Sequence, residues 1–189
     1  MTEQSFTLFE TAIGACGIVW NGHGIVGVQV PESNAAATKA RVTKRYPVAT
    51  EAAPSPQVQR AIDGIVVLLS GEARDLTDIT IDNTNTPEFK AKVYAIARAI
   101  PPGQTMTYGE IAQRLGDKLL AREVGTALGQ NPCPIIMPCH RVLAANGKTG
   151  GFSAPGGVAT KMRLLSIEGA APGGPTLFDR LPLTAPRRR

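Results

Sequence analysis

Residues 131–141 read Asn131-Pro132-Cys133-Pro134-Ile135-Ile136-Met137-Pro138-Cys139-His140-Arg141, and the rest of the chain is read outward from this segment as a frame that presents Cys139. A cysteine and one of only two histidines stand side by side among three prolines. Proline fixes φ and biases the residue before it away from helix, so the segment is expected to be extended and rigid. A free thiol has a pKa near ~8.5 and is mostly protonated at neutral pH. Nucleophilic chemistry at Cys139 therefore needs a base or a positive neighbour, and His140 and Arg141 are the candidates. The competing reading is a small buried apolar residue. The surrounding pattern decides between them.

Upstream, Thr107 and Glu110 have the spacing of a capping box, opening a short helix through Ile111, Ala112 and Leu115 to Gly116. A turn around Gly116-Asp117-Lys118 leads into a second helix from Leu120 to Leu128, with Val124, Ala127 and Leu128 apolar. Two short helices joined this way have helix-turn-helix geometry. Lys118 and Arg122 lie at the start of the second helix, where the helix end favours phosphate, and the small residues Ala121, Gly125 and Ala127 permit close approach to a groove. The helix before this pair is expected to start with Thr86 as cap and Pro87 in its first turn. It carries Phe89, Val93, Ile96, Ala97 and Ile100 on one face and stops at Pro101-Pro102-Gly103.

The first third of the chain alternates and turns. Strands are predicted around Phe6–Phe9, Ile18–Trp20 and Ile25–Val28, and Asn21-Gly22 supplies positive φ for a tight hairpin between the last two. His23 lies in that turn and reads as a solvated turn residue; no cluster has metal-ligand spacing, so no metal site is expected. A basic helix over residues 34–46 is stopped by Pro47, and Ser55-Pro56 opens a stronger one. Val58, Ala61, Ile62, Ile65, Val66 and Leu69 form its apolar stripe, which ends at Gly71. Leu76, Ile79 and Ile81 suggest a further strand, and the polar run from Asp82 to Thr86 reads as a linker. The division expected is an N-terminal α/β domain over 1–85, a mainly α domain over 86–170, and a tail over 171–189. In the tail, Leu177, Phe178, Leu181 and Leu183 have the composition to dock on the body.

At 189 residues and 43% hydrophobic content, the chain can bury a real core. No apolar run approaches the ~20 residues of a membrane span, and the first residues lack a signal-peptide layout, so a cytoplasmic protein is expected. Three cysteines imply thiols rather than a disulfide framework. A formal charge of +5 suits a polyanionic partner, although three of the arginines close the tail.

Taken in order, these segments resemble the O6-alkylguanine-DNA alkyltransferases, also called methylated-DNA-protein-cysteine methyltransferases. The signature is Pro138-Cys139-His140-Arg141-Val142. Supporting it are Pro102-Gly103, Thr107-Tyr108, Arg122-Glu123-Val124-Gly125, Asn131-Pro132, Gly150-Gly151-Phe152-Ser153 and Ile167-Glu168-Gly169. The match is strong from about residue 87 to 170 and weak before it. The resemblance implies a ribonuclease-H-like small sheet with helices in the first half and the helix-turn-helix with the reactive cysteine in the second. It implies a monomer that needs no cofactor and acts on double-stranded DNA containing O6-alkylguanine. Its reaction is a single irreversible transfer of the alkyl group to Cys139. Asn131, His140 and Glu168 form the network behind the thiol, Tyr108 donates to the leaving guanine, and Arg122 fills the space left by the flipped base. Pro134, Phe152 and Ser153 border the alkyl pocket.

This chain departs from the family at two places. Phe152 stands where a tyrosine is frequent, and Ala154-Pro155 lengthens the loop that borders the pocket. Either the longer loop widens the rim and tolerates bulky groups, or it bulges into solvent and changes nothing. Two other functions fit parts of the pattern. A Cys-His-Glu hydrolase uses the same trio with many turnovers but leaves Arg122 unexplained, and a DNA-binding regulator explains the helices but not Cys139. Preference between guanine and O4-alkylthymine lesions is not readable from the residues.

Overall fold

In the computed structural model, which describes residues 3–170, the chain is a mixed α/β fold built on a four-stranded sheet. The predicted tail and its apolar residues lie outside the described residues. Strands β1 (Ser5–Thr11), β2 (Gly14–Asn21) and β3 (Gly24–Gln29) run antiparallel in sequence, and a two-residue strand β4 (Thr50–Glu51) adds parallel to β1, for the order β3-β2-β1-β4. Helix α1 (Ala35–Arg45) covers one face of the sheet, where Phe6, Val19 and Val42 form a small cluster. Helix α2 (Pro56–Leu69) covers the other, and its Val58, Ile62 and Ile65 join Cys16, Ile18 and Val28 in the main core. Asn34 and Ser55 cap the two helices with their side chains. Local chemistry is enough to explain both starts.

The hairpin turn is built differently from the expectation. Neither Asn21 nor Gly22 has positive φ; the positive value falls on Gly24, at 148°. The Asn21 carboxamide oxygen accepts from the backbone N–H of His23 and Gly24, and an irregularity between Val19 and Trp20 absorbs the offset. Addition of a Cβ at Gly24 would bring it 2.8 Å from the Thr80 carbonyl oxygen, so the glycine serves close approach as well as conformation.

The predicted strand over Leu76–Ile81 is a run of turns with a single bridge between Ile25 and Ile81. Arg98 accounts for the difference. Its Nη2 donates to the carbonyls of Leu76, Thr77 and Ile79 at 2.8–3.2 Å, which spends on one guanidinium the acceptors that a neighbouring strand would have used.

Beyond the turns at 82–86 come α3 (Glu88–Arg98), α4 (Tyr108–Arg114), α5 (Ala121–Gly129) and α6 (Gly157–Ile167). Pro87, not Thr86, is the cap position of α3, and it makes no side-chain bond, because the proline ring carries no polar side-chain atom. The capping box of α4 is complete, with Glu110 N donating to Thr107 Oγ1 and Thr107 N donating to Glu110 Oε2 at 2.6 Å. A 3-10 turn at Lys118–Leu120 joins α4 to α5. Two further short strands, β5 (Met106–Thr107) and β6 (Val142–Leu143), pair in parallel. β5 runs straight into Tyr108 and β6 leaves directly from Arg141, so this pairing carries both segments to one place.

The main core is continuous from the sheet through α2 and α3 to the residues before Cys139. Arg98→Met keeps the apolar stem but removes the side-chain donor from three carbonyls, of which Leu76 O keeps its bond from Ile79 N. It is expected to cost about 2–3 kcal/mol in urea unfolding. A loss under about 0.5 kcal/mol, ordinary for a surface change, would mean that these bonds do not hold the loop.

Candidate active site

Residues 131–141 are not extended. Met137 N donates to Cys133 O at 2.8 Å, Cys139 N to Met137 O at 2.8 Å and Arg141 N to Pro138 O at 2.9 Å, so the segment coils through successive tight turns and ends in a 3-10 turn at Cys139–Arg141. The prolines do fix φ locally, but bonds across the turns decide the path. Ile135, fully buried, is held at φ 76°, a conformation that costs a β-branched residue on the order of 1–3 kcal/mol. Asn131 pays that cost: its Nδ2 donates to Met137 O at 2.7 Å and to Cys139 Sγ at 3.2 Å, and its Oδ1 accepts from Cys133 N at 2.9 Å. One buried carboxamide thus braces the turn and touches the sulfur. The segment is also moored to the sheet, since Val28 N donates to Pro132 O at 3.0 Å.

His140 is fully buried, and its Nε2 lies 2.8 Å from Glu168 Oε1. Its Nδ1 is buried without a protein partner. Burial holds the imidazole below its ordinary pKa, against the pull of the Glu168 bond and charge. Arg141, a candidate neighbour for the thiol, instead forms a fork on the same carboxylate at 2.8 and 2.9 Å and donates through Nη1 to Ile100 O at 2.6 Å. Its planar donors match a carboxylate better than a sulfur, and Glu168, at the end of α6, is within reach. Burial pushes Glu168 up, yet the bonds and charges of His140 and Arg141 outweigh it and bring the carboxyl down to about 2.

The cation that acts on Cys139 is one the sequence reading missed. Lys161 is fully buried in α6; its Nζ donates to Val142 O at 2.6 Å and Gly151 O at 3.3 Å and lies 5.7 Å from the centre of the Tyr108 ring. Burial lowers it to about 8, with Cys139 pulling the other way. Burial holds the Cys139 thiol above its ordinary value, while the Asn131 bond, the Lys161 charge and the backbone N–H groups of Cys139 and His140 work to lower it. Lys161 shares the buried face of α6 with Leu164 and Leu165, about two turns before Glu168. A lysine at an apolar helical position was the available signal.

Cys139 is half-buried and opens into a cavity of about 540 Å³ lined by Tyr108, Ala121, Arg122, Gly125, Gly151, Phe152 and Ser153, among others. Gly150 makes room for the tyrosine, since a Cβ there would lie 2.9 Å from the Tyr108 ring. Arg122 is exposed at the start of α5 and Lys118 is exposed in the turn before it. Ala127, predicted to face DNA, is buried against the core with its carbonyl accepting from Tyr94 Oη at 3.0 Å; it falls on the stripe with Val124 and Leu128. Pro134 lies on a second, smaller cavity that also reaches Cys139, together with Phe152 and Ser153. Ala154 and Pro155 line this cavity too, half-buried, so the lengthened loop is a wall and not a bulge into solvent.

A half-buried thiol under a pair of short helices, backed by an imidazole and a carboxylate, defines a cysteine-centred protein with a built cavity in front of the sulfur. The family model for "6-O-methylguanine DNA methyltransferase, DNA binding domain" matches residues 88–170. A methylated-DNA–protein-cysteine methyltransferase of Methanothermobacter thermautotrophicus is 32% identical over 155 residues, covering 82% of this chain and 80% of the relative. The crystal structure of Mycobacterium tuberculosis O6-methylguanine methyltransferase is similar at a TM-score of 0.70 and 30% identity, over 93% of this chain and 99% of that one. Mycobacterium tuberculosis OGT in complex with DNA is similar at 0.69 and 30%, over 89% and 95%. The chain belongs to the methylated-DNA–protein-cysteine methyltransferase family.

The Glu168 fork yields a stability prediction. Glu168→Gln leaves the buried Arg141 without its counter-charge and should cost about 3–5 kcal/mol in urea unfolding at pH 7. The sign with pH follows from the lowered carboxyl. Its stabilising contribution is full above the unfolded value near 4.5 and is lost as pH falls toward about 2, so the gap between wild type and variant should close on acidification. A gap constant from pH 7 to pH 3 would show that the carboxylate charge is not what holds Arg141.

Proposed function

We propose that this chain repairs DNA by direct reversal, transferring a methyl or other alkyl group from O6 of guanine in duplex DNA irreversibly to Cys139. The observation that carries the proposal is the one cavity in which Cys139, Tyr108 and Arg122 meet. In the reaction the Cys139 thiolate attacks the alkyl carbon in line. A sulfur–carbon bond forms, the carbon–O6 bond breaks, and its electron pair stays with the guanine. Tyr108 donates a proton toward the leaving ring, and the thiol proton passes through a bridging water to His140, whose free Nδ1 supports that role. Glu168 orients the imidazole and steadies its positive form; Asn131 and Lys161 favour the thiolate.

In this reading the chain divides at about residue 85. The first unit has a ribonuclease-H-like arrangement, and the second uses α4 and α5 as a helix-turn-helix on DNA. Lys118 meets phosphate and Arg122 enters the stack in place of the extruded base, while Ala127 holds the helix from behind. The protein acts as a monomer in the cytoplasm. Among the described residues, no helix is long and apolar enough to cross a membrane.

The test is intact mass after incubation with a duplex carrying O6-methylguanine. One methyl per molecule, mapped to Cys139 and absent in Cys139→Ala, is expected, because a thioether offers no leaving group for turnover. Multiple turnovers would favour a Cys-His-Glu hydrolase instead. Arg122→Ala should slow transfer from duplex DNA on the order of 10²-fold, the equivalent of a few kcal/mol of unstacking, and spare the reaction with free alkylguanine. Equal losses on both substrates would remove Arg122 from base extrusion. Lys161→Met takes away a charge that lowers the Cys139 thiol, so the single-turnover rate profile should move to higher pH and approach wild type at alkaline pH. A uniform loss at every pH would mean that Lys161 only packs.

A further inference from the structure

Cys139 has two cavities in front of it, and the second has a chemistry of its own. This smaller space, about 220 Å³, is lined on one side by Val28, Gln29 and Val30 at the end of β3 and by Arg41 and Arg45 of α1, and on the other by Asn131, Pro134 and the loop through Pro155. It shares Gly129, Cys139, Phe152 and Ser153 with the larger cavity, so the two meet at the sulfur. Ser153 Oγ donates to Gly129 O at 2.8 Å, and that bond joins the two sides of the neck.

The charge is one-sided. Among the described residues, Arg41 and Arg45 are the only ionised side chains on the wall, and no acidic one lines the space. Arg45 stacks on the Tyr46 ring at 5.4 Å and has no carboxylate partner among the described residues. Arg41 has Glu32 at 3.9 Å, a loose contact outside the cavity wall that leaves most of its donors unused. The volume suits a substituent of about ten heavy atoms, far more than a methyl group needs.

We propose that this second cavity is a specificity subsite for O6-alkyl groups that end in an anion, with Arg41 and Arg45 receiving the terminal carboxylate while the guanine occupies the larger cavity. The inference rests on the alkyl-transfer reading of Cys139. The carbon attached to O6 meets the sulfur at the neck, and the remainder of the substituent extends past Ser153 between the loop wall and α1. The step balances as for methyl: the sulfur–carbon bond forms, the carbon–O6 bond breaks, the electron pair leaves with guanine, and the carboxylate stays on the transferred group. Ala154-Pro155 supplies the outer wall of this space, which gives the lengthened loop a role. Arg41 and Arg45, exposed on the wall of a half-enclosed space, put two positive charges where an anionic end would lie and so separate charged from neutral substituents of the same size.

The experiment compares free O6-(4-carboxybenzyl)guanine with its neutral isostere O6-(4-carbamoylbenzyl)guanine and with O6-benzylguanine, by single-turnover rate and intact mass. Free bases remove the field of the DNA. Wild type should prefer the carboxylate to the amide. In Arg41→Gln/Arg45→Gln the carboxylate-to-amide ratio should fall roughly tenfold, with the benzyl rate within about twofold. Lys44→Gln, on the same helix but off the cavity wall, should leave the ratio where it was; a matching drop there would assign the preference to general surface charge and overturn the subsite. An unchanged ratio in the double variant would overturn it as well. No methyl transfer from the O6-methylguanine duplex by wild type would instead sink the alkyl-transfer reading, and the subsite with it.

Discussion

Glu168 receives three hydrogen bonds from two adjacent residues, His140 and Arg141, and the site depends on that convergence. The carboxylate stands at the end of α6, the two donors follow the reactive cysteine, and Arg141 reaches on to the carbonyl of Ile100, just past the end of α3. A buried carboxylate facing two cationic or protonatable groups survives because each of its oxygens has at least one donor. The same bonds leave the thiol with no direct contact from either neighbour that its sequence context offered, so that His140 serves it only through a water. What remains for Cys139 is a carboxamide, a remote lysine and the backbone. These weak, well-placed dipoles and one charge work against burial.

That division of labour explains the tight turns before the cysteine. An extended segment would present the cysteine and histidine on opposite sides with nothing to fix their separation. The 3-10 turn puts His140 into the core and leaves Cys139 at the cavity, and Asn131 closes the turn from inside. The strain at Ile135 is the local cost of that route. The second short sheet then sets the distance between nucleophile and phenol. Because β5 leads into Tyr108 and β6 leaves from Arg141, two hydrogen-bonded residues on each side hold them in register.

Features governed by neighbours in sequence were legible in the residues. The capping box at Thr107 and Glu110, the Ser55-Pro56 start, the apolar stripe of α2 and the three antiparallel strands all follow from local spacing, and the structure has them. What escaped depends on distant partners. β4, β5 and β6 are two residues long and have no period to read, and the Leu76–Ile81 run looked like a strand until Arg98 claimed its carbonyls. Lys161 was hidden by its charge, since a lysine reads as exposed until α6 is drawn with Leu164 and Leu165 beside it. Ala127 failed in the opposite sense: its small size suggested a groove, while its place in the helical period put it in the core.

The bond from Val28 to Pro132 has an implication for colloidal behaviour. β3 is an edge strand, and two segments occupy its free side: Thr80 and Asp82 bond to Ile25, and Pro132 bonds to Val28. An uncovered edge is a template for pairing with a second chain. The segment that carries the nucleophile therefore also serves as the cover for the sheet. A molecule whose reactive turn is pushed out of place would bare part of that strand and offer it to a second chain.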